Sequence, residues 1–191
     1  RIDYGGTNLY TDILSRLRDW QICASIDGTG RIGEYIRTGL DFNKWLENFN
    51  KGIEISNHPR QVRIDFTLTL PGLFEVEPIQ ELAERLGVGV LAKVVFSFSP
   101  DIILSPLALP RELLHPWLDE LSKSSTGAMN DVLVQLKDRP TFAEQWPDQY
   151  EAGLRKGKER ILKLEQIRTQ SLTMKDILST RPDVLDWWEK I

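Results

Sequence analysis

The feature that most constrains the fold is an alternation. Short strand-like runs take turns with amphipathic helical stripes, each stripe long enough to carry the chain back across a sheet. Ile2–Tyr4 reads as the end of a strand broken by Gly5-Gly6. Leu9, Leu14, Leu17 and Trp20 recur at near-helical spacing and predict a helix over 9–19. Gln21 to Ile26 reads as a strand buried on both faces, followed by the turn Asp27-Gly28-Thr29-Gly30. Phe42, Trp45, Leu46, Phe49 and Ile53 form a helical stripe over 41–54, with Asp41 as its cap. Gln61 to Leu70 is alternating and β-branched, and Pro71-Gly72 ends it. A helix over 75–86 stops at Gly87, and Val88 to Phe98 is an apolar strand. Strand, helix, strand, helix, strand, helix, strand predicts parallel pairing through right-handed crossovers.

Past Ser99-Pro100 the pattern changes. Leu104 to Pro110 is a Pro-bounded connection, and beyond it only helices are predicted: 110–122, 126–137, 141–169, 173–179 and 182–189. The fold class is therefore α/β: a partial (β/α) barrel with four parallel strands over 1–109, then an all-helical C-terminal extension over 110–191. A chain of 191 residues, 41% hydrophobic, can build one sizeable core with an appendage. A formal net charge of −4 gives no electrostatic reason to expect nucleic acid as a partner. No apolar run is long enough for a bilayer, and no secretory signal is visible. The single cysteine, Cys23, excludes an intrachain disulfide and fits a reducing, cytoplasmic setting.

Ligands of parallel α/β folds sit at the carboxyl ends of strands. Four segments occupy such positions: Thr7-Asn8, Ser25 to Gly28, Thr67 to Pro71, and Phe96 to Pro100. In Ser25 to Arg37, Ser25 offers a hydroxyl, Asp27 can orient a neighbour, and Gly28 and Gly30 let backbone approach a ligand. Arg37 can grip a carboxylate bidentately. The set would suit an amino-acid-like ligand; on residue chemistry alone the plainer reading, an Asp-Gly turn with a surface arginine, is the stronger. Asn8 reads as a cap for the helix after it. Thr67 and Thr69 share a strand face and either meet a ligand or satisfy strand propensity. His58 and His115 have no partner at metal-ligand spacing, so both read as structural and no metal site is predicted. Cys23 reads as a buried, inert thiol, and the helical tryptophans as packing anchors. The charged stretch Arg155 to Arg168 reads as a solvated helix face.

Taken together, Asp3-Tyr4-Gly5-Gly6-Thr7-Asn8-Leu9, Ala24-Ser25-Ile26-Asp27-Gly28 and Glu34-Tyr35-Ile36-Arg37 resemble the middle strands of radical SAM enzymes. The resemblance is to the branch with a twitch or SPASM-type C-terminal region. Leu68-Thr69-Leu70-Pro71-Gly72-Leu73 resembles that family's fifth strand and exit loop, and Leu107-Ala108-Leu109-Pro110 the stretch after its sixth, so the match spans residues 2–122. It implies a barrel present from its third strand onward. Ser25 and Arg37 would contact the amino-acid end of S-adenosylmethionine. Asp27 would shape the loop, Asn8 would face the cavity, and Thr67 and Ser97 would approach ribose or adenine. It also implies a 4Fe-4S cluster in the complete protein, 5′-deoxyadenosyl radical chemistry, and a small-molecule or peptide substrate.

The family's Cys-x3-Cys-x2-Cys loop and Gly-Gly-Glu-Pro-like segment are absent. Three thiolates hold such a cluster, and one cysteine cannot. The chain also opens without Met, inside a strand-like run, so a missing upstream portion bearing the cluster loop is the first expectation. The alternatives are a cluster-less binding or scaffold relative, and an ordinary metal-independent barrel enzyme using Asp27, Arg37 or Asp65.

Overall fold

The computed structural model describes residues 2–168 and 171–191. Its centre is a parallel sheet of three strands, β3 (Ile22–Ile26), β4 (Val62–Leu68) and β5 (Gly89–Val94), side by side in chain order. The register sets Ser25 beside Asp65, Asp65 beside Leu91, and Thr67 beside Lys93. Crossover helices α1 (Gly30–Ile36) and α2 (Phe42–Glu54) join β3 to β4, and α3 (Val76–Leu86) joins β4 to β5. Asp41 caps α2 by accepting from the Lys44 amide, and Gly87 ends α3 at φ 65, a left-handed position that glycine adopts without a Cβ penalty. The class is mixed α/β with parallel strands, as the alternation predicted. The described strands do not close into a barrel.

The first of the four predicted strands does not join the sheet. Asp3–Tyr4 (β1) instead pairs antiparallel with Thr7–Asn8 (β2), closing a small hairpin over Gly5 and Gly6, both at positive φ. The tight glycine turn makes the local pairing the cheaper one. The helix expected over 9–19 is a π-helical turn, Leu9–Ile13, followed by a 3-10 turn, Leu14–Arg16. Beyond the predicted turn Asp27-Gly28-Thr29-Gly30, the Ser25–Arg37 segment holds α1, for which no helix was predicted. The last strand is shorter than its apolar run and ends at Val94.

Every second strand residue faces the helices. Ile26, Val62, Ile64, Phe66 and Leu68 are buried there, with Val90, Ala92 and Val94 packed against them. Burying each large aliphatic side chain of this kind stabilises the fold by roughly 1.5–3 kcal/mol. The other face is mostly polar and only partly covered: Cys23, Ser25, Leu91 and Lys93 are exposed, and Arg63, Asp65 and Thr67 half-buried. Cys23 is thus exposed, against the expectation of burial, because the odd positions of β3 alternate away from the core.

Beyond Pro110 the chain is helical, as expected: α4 (Arg111–Leu121), α5 (Gly127–Lys137), α6 (Phe142–Gln145), α7 (Tyr150–Ile167), α8 (Met174–Leu178) and α9 (Pro182–Lys190). The single helix predicted over 141–169 is interrupted at Pro147, and Thr169 lies outside the described residues. The extension shares its core with the sheet. Met174, Ile177, Leu178, Val184 and Trp188 belong to the same buried cluster as Ile26 and Phe66. Among the described residues no helix is long and apolar enough to cross a membrane.

Candidate functional site

The carboxyl end of β3 runs into a turn fixed from two sides. Asp27, 8% exposed, accepts from Arg37 Nε at 2.6 Å and Nη2 at 3.2 Å. Arg37 is the residue that ends α1, so this fork ties the far end of the helix to the turn before it. On the other side stands Glu75, 4% exposed, on the short 3-10 turn after β4. Its carboxylate accepts from the Thr29 amide at 2.5 Å and the Thr29 hydroxyl at 2.7 Å. Burial pushes the Glu75 carboxyl above its ordinary value, against the two Thr29 hydrogen bonds that pull it down.

The glycines of this turn are held by contact. A Cβ on Gly33 would stand 2.1 Å from the Gly28 carbonyl oxygen, and a Cβ on Gly28 would stand 2.9 Å from Glu75 Cγ. The first turn of α1 therefore sits directly on the backbone of the Asp27-Gly28 turn. That gives backbone amides and Asp27 one fixed arrangement at the strand end.

The helical extension holds α1 from outside. Tyr35, buried, donates to Glu165 at 2.7 Å, and the same carboxylate oxygen accepts from the Met174 amide at 2.6 Å. Arg168 donates to the Tyr35 carbonyl at 2.7 Å, and its guanidinium lies 5.1 Å from the Tyr35 ring centroid. Burial drives the Tyr35 hydroxyl well above the usual range for a phenol, with Glu165 adding to it.

The six residues expected to form a site do not all converge. Ser25 lies on the open face of β3, two residues before Asp27, and Thr67 lies on the same face of β4. Arg37 meets Asp27 with one edge; its side chain stays 40% exposed. A guanidinium has five N–H donors, and two are spent on Asp27. Asn8 sits in the separate hairpin as a cap, accepting from the Tyr10 and Thr11 amides at 2.9 and 3.0 Å and donating to Asp3. Ser97 lies beyond β5 and donates to Ser105 at 2.8 Å. Thr69, expected to share the strand face of Thr67, is buried beyond the strand end and accepts from the Gly72 amide. His58 caps a 3-10 turn, and His115 lies 3.0 Å from Arg111.

Sequence reasoning missed Glu75, Arg63 and Lys93 as parts of this region. Glu75 carried no local signal, because it meets Thr29 across 46 positions of chain. Arg63 and Lys93 carried one: a charge inside each otherwise strand-like run. Arg63 pairs with Asp65 at 2.8 Å on the open face.

The donor sets of the implied cofactors can be judged on these residues. An amino-acid end needs a cation for its carboxylate and acceptors for its ammonium; the free edge of Arg37, the Ser25 hydroxyl and Asp27 offer that chemistry. A four-iron cluster needs three thiolates, and Cys23 is the chain's one cysteine. Among the described residues no group of His, Cys, Asp and Glu side chains could hold a metal ion. The residues fit the first cofactor and not the second. A scan against protein-family models, a search of curated proteins and a search of solved structures each return no match.

Proposed function

We propose that this chain is a sector of a radical-SAM-type (β/α) barrel, and that it receives the amino-acid end of S-adenosylmethionine at the carboxyl end of β3. The Asp27–Arg37 fork beside Ser25 carries the reading. A half-exposed guanidinium stands on a carboxylate two residues past Ser25, at the end of a strand where parallel folds take ligands. The sheet supports it further. Its strands follow one another in chain order with helices packed on one face, which is how a barrel wall is built. A doubly wound sheet carries helices on both faces.

In this reading Arg37 binds the carboxylate, Asp27 aligns Arg37, and Ser25 meets the amino group. Glu75 holds Thr29 so that the turn keeps its shape. The cluster that would cleave the cofactor has no ligands here, so radical chemistry rests on groups this chain does not contain. Binding is tested directly by nuclear magnetic resonance titration of the chain with S-adenosylmethionine. Shifts should concentrate in residues 25–37 and weaken in Ser25→Ala and in Arg37→Gln. Shifts spread over the surface, or unchanged in both variants, refute the assignment. For the complete gene product, anaerobic reconstitution with iron and sulfide should give 5′-deoxyadenosine on reduction.

The single cysteine favours a second reading, a cluster-less relative that keeps the same binding turn. It predicts the same titration result and no 5′-deoxyadenosine with any reductant.

A further inference from the structure

Parallel sheets are ordinarily covered on both faces, and their strands then read as continuous apolar runs. Here the face turned away from the helices is partly open and, apart from the exposed Leu91, polar, so a parallel sheet presents hydrogen-bonding side chains to whatever lies against it. Most of its charge is already matched. Arg63 is paired with Asp65 at 2.8 Å, and Arg37 with Asp27 at 2.6 Å. Lys93 is different. It is exposed, lies next to the carboxyl end of β5, and makes no ion pair among the described residues. The register puts it directly beside Thr67, whose hydroxyl belongs to the same face. Adjacent parallel strands are about 4.8 Å apart, so an ammonium and a hydroxyl stand within reach of one small anionic group. Among the described residues of this face, Lys93 is the charge without an ion pair, at the end where ligands bind in such folds.

We propose that Lys93 and Thr67 form an anion subsite on the open face, taking a carboxylate or phosphate group of a small-molecule ligand. The inference rests on the open face being the ligand face, as in the function proposed above, but uses a different strand from the Ser25–Arg37 turn. Lys93 supplies the charge and Thr67 a directional donor. The Arg63–Asp65 pair occupies the central strand, with the exposed Leu91 beside Asp65.

The test is a titration of the isotope-labelled chain with inorganic phosphate and, separately, with acetate, followed by amide shifts. The expected result is saturable shifts centred on Thr67 and Lys93 with at least one of the two anions. Phosphate alone identifies a phosphoryl ligand, acetate alone a carboxylate. Lys93→Met should weaken the response by about tenfold, and Lys93→Arg should retain it. Lys93 is exposed, so both variants should fold. Shifts scattered over the other lysines, or a response unchanged in Lys93→Met, overturn the proposal. S-Adenosylmethionine titrated into Lys93→Met separates the two sites. Shifts in residues 25–37 that persist there leave the β3 reading standing whatever the anions do.

Discussion

Gly33→Ala puts the geometry of the candidate turn to a quantitative test, because two physical effects oppose each other. Gly33 is inside α1, where alanine is favoured over glycine by about 1 kcal/mol. Helix propensity alone therefore predicts a more stable variant. The structure predicts the reverse. The new Cβ would stand 2.1 Å from the Gly28 carbonyl oxygen and 2.7 Å from its carbonyl carbon. Both are backbone atoms, so no side chain can swing aside. The turn they belong to is pinned by Arg37 and Glu75. Overpacking costs typically 1–3 kcal/mol, and the upper end applies where the obstacle is rigid, about 3 kcal/mol. Against the propensity gain, the net loss is about 2 kcal/mol. Urea unfolding followed by tryptophan fluorescence should show a midpoint lowered by roughly 1 M for a chain of this size, at unchanged slope. Gly89→Ala is the control. Gly89 has no atom within 4 Å of an added Cβ and no positive φ, so alanine should leave stability equal or raise it by about 0.5 kcal/mol. A Gly33→Ala midpoint at or above wild type would refute the close seating of α1 on the Gly28 backbone. The preorganisation on which the proposed binding turn depends would fall with it.

The buried carboxyl of Glu75 has a raised value, so its contribution is complete below about 4.5 and is lost as pH rises through the raised value. Glu75→Gln should remove that loss: stability relative to wild type should climb with pH above 4.5, and parallel curves would contradict the burial of the charge. Asp101 behaves oppositely. The Ser99 hydroxyl, then Lys156, hold it down to about 2, so its contribution is present above 3.8 and lost as pH falls toward 2. The stability gap between wild type and Asp101→Asn should accordingly close on acidification, and a constant gap would count against the Asp101 contacts. Tyr35→Phe leaves Glu165 bonded to the Met174 amide but deletes its bond from the phenol, at a cost of about 1–2 kcal/mol. Hydrogen exchange should quicken across 30–36, and unchanged exchange would show that the extension does not hold α1.

How much was legible in the sequence differs by element. The stripes over 41–54 and 75–86 fixed their own helices, because a 3.6-residue apolar period, a capping Asp41 and a terminating Gly87 all act locally. The runs at β3, β4 and β5 likewise announced parallel pairing through the helices between them. The hairpin of β1 and β2 was not legible as such, because Ile2–Tyr4 alone does not say which partner it will find. For the site, Ser25, Asp27 and Arg37 could be named in advance from residue type and position after a strand. That Asp27 and Arg37 bind each other could not.

The amino-acid sequence by itself determined the three sheet strands, the crossover helices over 41–54 and 75–86, and the helical character beyond Pro110. Only the tertiary structure decided which face of each strand lies open. Burial is settled by the helices that pack, and this is why Cys23 is exposed and Lys93 stands beside Thr67. It also decided that Glu75 reaches Thr29 and that Glu165 reaches Tyr35, contacts 46 and 130 positions apart in the chain. Local periodicity carries no information at that range. Such contacts exist only once loop closure has been offset by burial of the common core.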